Sequence, residues 1–423
     1  MFTVSKINGV TLIFSPMRGF STAAIGIFFK IGARDENKNL KGIAHFTEHM
    51  LFKGTKKCSY RSIKREIEGR GGMLNGYTSQ EVTVYYAQFL KKNIGITLDV
   101  LFDMVANPLF ERKEVEKERN VILEEIKMYN DLPSFRALSL LDRILWGNHP
   151  LANDVIGTVD TVKSIKRFNL KKFKEEYYLP SRMVICCVGN FTQDRLRDLI
   201  AKKTKGMSDK PVSLESVFPS SLRQKKVIVE NKGLDQTHLC LGFRGISYRS
   251  KYKFAIELIH VLMGANMSSR LFEEIREKRG LCYDISADVK KYRDVGTFII
   301  HTGLDKKNID VAFKCIIREL RKVQEKLVSF KELERAKDYI LGQVVMGLER
   351  PQGRLFYPVD FYMALGRICS FDELKKAIIG VDREAIRQLA KKVFDFKRIC
   401  VTCVGDIHKD LGSHLEKIVD KEA

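Results

Sequence analysis

The chain lacks any apolar run of about 18 residues, the length a membrane-spanning helix requires. Its first twenty residues also lack a signal-peptide core, because Val10 to Phe14 is too short a stretch. Acid is in short supply: 52 Asp and Glu stand against 74 Lys and Arg, a net charge of +22. Such an excess raises nucleic acid or an anionic membrane as a partner. The basic residues are interleaved with acids, however, and no Lys/Arg tract or basic tail stands out. The surplus reads as a solvated, Lys-rich surface without a specific nucleic-acid partner. The nine cysteines are an odd number and sit mostly in apolar segments, which fits reduced thiols in a cytoplasmic protein. A mitochondrial matrix protein whose targeting segment had been removed would look the same. Cys400 and Cys403 have CxxC spacing, but their setting, Arg398 to Gly405, is a strand that sends residues three apart to opposite faces. They read as core. With 423 residues, the chain is too long for one ordinary core and suits two domains.

Histidine is scarce, with eight in the whole chain, yet two stand four apart in Gly42-Ile43-Ala44-His45-Phe46-Thr47-Glu48-His49-Met50-Leu51-Phe52. That spacing puts both imidazoles on one face of a helix. Glu48 reaches the same side. Ile43, Ala44, Phe46, Met50, Leu51 and Phe52 make the helix apolar nearly all round, so it should be buried. Burying a carboxylate with two imidazoles is costly unless something pairs with them. A divalent cation would do so. The order His-x-x-Glu-His is the reverse of the zinc-helix pattern H-E-x-x-H.

A stable zinc site needs a third protein ligand. Residues 114–126 read as a helix in which Glu118, Val121, Ile122 and Glu125 share one face, made apolar by Val121 and Ile122. Glu124 falls with Lys117, Asn120 and Lys127 on the polar side. Periodicity therefore selects Glu125, with Glu118 two turns before it, as the inward carboxylates.

On these residues the sequence resembles the M16 metallopeptidases, the pitrilysin and mitochondrial processing peptidase family. His45-Phe46-Thr47-Glu48-His49 and Glu125 match that family's inverted zinc motif and downstream glutamate. Glu118 matches a further glutamate that supports the site. The resemblance runs from Lys6 to about Asp406, and the length is similar to the bacterial, processing-peptidase-like branch. It implies an α+β fold of two homologous domains, each an antiparallel sheet packed with helices, the LuxS/MPP-like metallohydrolase fold.

Taken in order, residues 6–15 and 22–32 read as strands, 60–68 as a helix, and Asn75 to Ala87 as a strand. Helices follow at 92–106 and 111–130, the second broken by Leu132-Pro133. More helix runs to Trp146, His149 lies in a loop, and Arg182 to Gly189 is a strand. The second half repeats the first. Lys306-Lys307-Asn308-Ile309 echoes Lys91-Lys92-Asn93-Ile94, and Arg398 to Gly405 echoes Arg182 to Gly189, at a spacing of roughly 216 residues. The expected domains are 1–203 and 226–423, with 204–225 as linker. In this comparison Ala336 stands where Glu118 does and Gln343 where Glu125 does. The counterpart of the metal helix, Ile256 to Met263, keeps only His260. Metal binding is therefore expected in the first domain alone, with His260 a packed helix residue.

The resemblance also implies a mechanism. His45, His49 and Glu125 would hold one Zn2+ per chain, with cobalt or manganese as substitutes. Glu48 would be the general base for water attacking a scissile peptide carbonyl. Arg276 and Tyr283 resemble the Arg/Tyr pair that such enzymes supply from the other half of their chamber, to stabilise the oxyanion or grip the carbonyl. Substrate would add as a strand to Asn75-Gly76-Tyr77-Thr78. The family usually has Ala where this chain has Gly76. One chain supplies half of a closed chamber, so a homodimer is expected in which Arg276 and Tyr283 act in trans. A heterodimer with a second M16 chain is the related alternative. The alternative in kind is a non-catalytic M16-type subunit that binds or assembles partners.

Overall fold

The computed structural model describes residues 2–210, 226–233, 236–408 and 410–422. Residues 211–225, most of the expected linker, lie outside the described residues. The chain forms two compact units. The first comprises the described parts of Met1–Lys127 and Asn153–Val217 together with Met346–Ser370; the second comprises the remainder.

The first unit is built on a six-stranded sheet. Its strands are β1 (Thr3–Ile7), β2 (Val10–Pro16), β3 (Thr22–Phe29), β4 (Met73–Thr78), β5 (Thr83–Leu90) and β6 (Met183–Gly189), in spatial order β1-β2-β6-β3-β5-β4. The second unit has β7 (Lys226–Asn231), β8 (Thr237–Gly245), β9 (Cys282–Lys291), β10 (Gly296–Leu304) and β11 (Cys400–Gly405), in order β7-β11-β8-β10-β9. Without β1 the two orders are the same, strand for strand, which is the duplication seen in three dimensions. Each sheet is mixed rather than wholly antiparallel: β2 runs parallel to β6, and β7 to β11.

Two expected strands are each a hairpin. Residues 6–15 divide at Asn8-Gly9, whose positive φ angles of 47° and 85° close a tight turn pairing Ile7 with Val10. Residues 75–87 divide at 79–82, where Ser79 N–H donates to the Val82 carbonyl, and β4 folds back on β5. The β4 strand lies at the edge of its sheet.

The helices fall close to their expected places, including Ile43–Leu51, Tyr60–Ile67, Ile94–Ala106 and Arg112–Asp131. Two others do not stay with their half of the sequence. Helix Pro351–Leu365 covers the first sheet: Leu355, Val359 and Tyr362 pack with Ile13, Phe28, Val184 and Val188. Helix Pro133–Trp146 covers the second sheet: Leu141 and Leu145 pack with Cys240 and Ile299. Cys186, Cys187, Cys400 and Cys403 are buried in β6 and β11. Among the described residues no helix is long and apolar enough to cross a membrane.

Candidate metal centre

The helix Ile43–Leu51 carries His45, Glu48 and His49, and all its residues except the two histidines are buried. Its N-terminus begins at Gly42, whose φ of 89° suits glycine and which has no capping side chain of its own. The cap comes from upstream. Glu36 accepts from the Gly42 N–H at 2.8 Å and from the Ala44 N–H at 2.7 Å. Burial pushes the Glu36 carboxyl up to about 8, against the pull of the Ala44 and Gly42 donors.

Helix Arg112–Asp131 is the second wall. Its buried stripe is Val115, Glu118, Ile122 and Ile126, spaced three and four apart. Val121 is not part of it: at 49% exposure it points outward, a correction to the expected face. It lies one position short of Ile122, a rotation of about 100°, which is enough to turn it out. Glu124 is on the surface beside Lys127, as its polar neighbours implied.

Three donor atoms converge. Glu125 Oε2 lies 3.9 Å from His45 Nε2 and 3.8 Å from His49 Nε2, and one donor from each residue falls within 4.8 Å of the others. The donor set fits a divalent cation: two imidazole nitrogens and a carboxylate oxygen, each partly open to solvent. Burial, with the His49 charge behind it, brings His45 down to about 3, so its ring is neutral and able to ligate. His49 is oriented through its other nitrogen, with Nδ1 3.1 Å from Glu118 Oε2. Burial acts to lower His49, but the hydrogen bond and charge of Glu118, with Glu48 and Glu125, outweigh it and raise the ring. Glu118 is buried, and its other oxygen meets Lys53 Nζ at 2.5 Å. Lys53, just past the end of the helix, therefore bears on His49 through Glu118. His45 Nδ1 is buried with no hydrogen-bond partner among the described residues, so carboxylate support is one-sided.

Glu48 is 7% exposed and accepts from Thr78 Oγ1 at 2.8 Å. Burial raises its carboxyl above the ordinary value. Sequence did not signal this bond, since Thr78 is thirty residues away. The substrate candidates Asn75, Gly76, Tyr77 and Thr78 all lie on the edge strand β4, with Asn75 and Tyr77 exposed. A Cβ at Gly76 would meet the Val84 carbonyl oxygen at 2.9 Å and the Phe52 ring at 3.0 Å. Glycine there answers a close approach to the metal helix.

Arg276 and Tyr283 lie in the second unit, on the short helix Phe272–Glu277 and on edge strand β9. They touch each other: the guanidinium sits 5.4 Å from the centre of the Tyr283 ring, which is 79% exposed. His260 belongs to no group of three or more possible ligands among the described residues; its Nε2 bonds the Ala287 carbonyl at 2.8 Å. His149 is a buried loop residue whose Nδ1 accepts from the Leu151 N–H. The only group of three or more possible ligands among the described residues is His45, His49 and Glu125.

Known proteins are similar to this chain in sequence and in fold. The family profile described as insulinase (peptidase family M16) matches residues 15–159, and that described as peptidase M16 inactive domain matches 164–340. A Bacillus subtilis protein named an uncharacterized zinc protease is 32% identical over 387 residues, 92% of this chain and 94% of its own length. A Rickettsia bellii protein of the same name is 32% identical over 399 residues, 93% and 95% of the two chains. Among solved structures, a protease from Helicobacter pylori superposes with a TM-score of 0.91 at 19% identity, covering 96% of this chain and 99% of that one. A Pseudomonas fluorescens structure described as a peptidase M16 inactive domain gives 0.89 at 19% identity, covering 96% and 98%. With two profiles spanning most of its length and curated zinc proteases aligned over nearly all of it, the chain belongs to the M16 peptidase family.

Proposed function

We propose that this protein is a zinc-dependent endopeptidase that cuts peptides or unfolded, presequence-like segments inside a closed chamber. The observation that carries the reading is the convergence of His45, His49 and Glu125, with Glu48 on the same helix as the two imidazoles. The naming of its relatives as zinc proteases supports zinc, and the single group of three possible ligands among the described residues supports one ion per chain. When bound, the ion would supply Lewis-acid polarisation of water and of the scissile carbonyl.

The chain's own residues supply the rest. His45, His49 and Glu125 present their donors to the ion, while Glu118 fixes the His49 ring. Glu48 takes a proton from water as the water oxygen bonds to the carbonyl carbon. It gives that proton to the leaving nitrogen as the C–N bond breaks. An extended peptide pairs with the edge of β4 at Asn75 to Thr78 through backbone hydrogen bonds, which tolerate many side chains. Arg276 and Tyr283 grip the substrate carbonyl or its developing oxyanion from the partner chain of a homodimer. The mutual contact of these two side chains supports their acting as a pair. The cysteines, none of which forms a disulfide among the described residues, support a cytoplasmic location. The duplicated halves are taken as 1–203 and 226–423, joined through 204–225.

Glu48→Gln tests the reading. Turnover of an unstructured peptide should fall by roughly 10²–10⁴-fold, the contribution of a general base, with zinc still bound. Activity retained at the wild-type level would remove Glu48 from the mechanism.

A further inference from the structure

We infer that Thr78 is the positioning residue for Glu48, so that the edge strand proposed to receive substrate also aligns the base. The inference rests on the endopeptidase reading for its kinetic meaning, but the contact itself is independent of it. Thr78 Oγ1 donates to Glu48 Oε2 at 2.8 Å, which leaves the other carboxylate oxygen to take a proton.

The bond follows from how β4 lies on the metal helix. Leu74, Gly76 and Thr78 form the inner row of β4, and Met73, Asn75 and Tyr77 the exposed row. On the inner row, Gly76 faces the Phe52 ring and Thr78 faces Glu48. Gly76 and Thr78 are two apart on a strand, about 6.6–6.8 Å. Phe52 and Glu48 are four apart at the helix end, about 6 Å of rise. Strand and helix therefore run past each other in matched steps, and the absence of a side chain at Gly76 lets them come close.

The strand is fixed on its other side. Thr78 pairs with Thr83 of β5, and the turn that follows is tied down where Ala33 N–H donates to the Ser79 carbonyl and Arg34 N–H to the Gln80 carbonyl. Thr78 is thus held in place, and through its hydroxyl it holds Glu48. A peptide added to the outer edge of β4 would bear on the same residue that orients the base.

The test uses the full-length, zinc-loaded chain with Thr78→Val, which keeps the shape and removes the hydroxyl, and Thr78→Ser, which restores it. On an unstructured peptide, Thr78→Val should lower kcat by roughly 10–100-fold, the cost of a misplaced catalytic group. KM should stay within about threefold and zinc content should be unchanged, since neither the backbone edge of β4 nor a ligand is altered. Thr78→Ser should recover most of kcat. In the metal-free chain carrying 13C-carboxyl glutamate, the Glu48 resonance, identified by its loss in Glu48→Gln, should move in Thr78→Val and return in Thr78→Ser. Full kcat in Thr78→Val, a loss carried by KM alone, failure of Thr78→Ser to recover, or an unmoved Glu48 resonance would each overturn the inference. If the wild-type chain cuts no peptide, the endopeptidase reading fails, and the carboxyl resonance still decides whether Thr78 holds Glu48.

Discussion

The two imidazoles of the metal helix differ in what stands behind them. His49 has Glu118 on its Nδ1, and Glu118 has Lys53; His45 has no such partner among the described residues. The orientation of the pair thus depends on one carboxylate. Glu118→Ala should weaken zinc binding by about 10–100-fold, the usual cost of losing a supporting shell, with the protein still folded. Competition against a chelating dye measures it, and unchanged affinity would deny Glu118 that role. A second residue-scale effect lies away from the metal. His238 Nδ1 and His301 Nε2 are 3.0 Å apart on neighbouring strands β8 and β10. Burial lowers both rings; the charge of His301 adds to this for His238, while Asp284 and Asp288 pull His301 back in part. The folded state therefore binds these protons less readily than the unfolded chain, whose histidines titrate near 6.5. Their contribution to stability is present above pH about 6.5 and is lost as pH falls through the lowered folded values. Between pH 7.5 and 5 the metal-free wild type should lose more thermal stability than the double variant His238→Gln/His301→Gln. Equal losses would mean the pair does not titrate on unfolding. The common face of His45 and His49 and the approach of Glu125 to them were legible at this scale, because a spacing of four and a helical period are local patterns. Val121 was misplaced because a stripe only one residue wide is decided by which way the helix is rolled.

At the scale of elements, the metal helix owes its start to Glu36. No Ser, Thr, Asp or Asn stands at its N-cap, and the two N–H groups at its start are satisfied from six and eight residues upstream. Glu36→Ala should cost about 1 kcal/mol, within the range of a lost cap, measured by urea denaturation of the metal-free chain. A midpoint equal to wild type would show that water satisfies those groups equally well. The missing cap residue was visible in the sequence; its substitute was not, since Glu36 reaches the helix only after the turn at 32–36 has folded. The hairpins tell the same story in reverse. Asn8-Gly9 carried a local turn signal that a continuous reading of 6–15 passed over. The turn at 79–82 interrupts a β-branched and aromatic run, so composition alone joined β4 to β5. That turn is what makes β4 an edge strand.

At the scale of the molecule, duplication and exchange coexist. The two sheets repeat one strand order, yet the helix covering each comes from the other half of the sequence. The metal set belongs to the first unit and the Arg276/Tyr283 pair to the second. The proposal that these sets meet across a homodimer has a direct test. Glu48→Gln chains and Tyr283→Phe chains, each impaired alone, are mixed after dissociation and reassociated. Hybrid dimers should regain up to about half the activity per dimer, because one of two composite sites is intact. No recovery would argue that each chain completes its own site.

The sequence by itself determined the helices, the spacing of the candidate ligands on the first of them and the repeat, because each is written at short range or as a copy of itself. The spacing of His45 and His49 fixes their common face before anything else folds, and hydrophobic period sets most of the elements. Tertiary structure alone decided which helix covers which sheet, which strand is an edge, and how Thr78, Glu36 and Lys53 reach the metal helix or its supports. The coverings and the edge depend on apolar faces finding partners far along the chain, and the polar contacts form only once that packing has brought their elements together. Many partners of similar area satisfy that demand, and only the packed whole selects one.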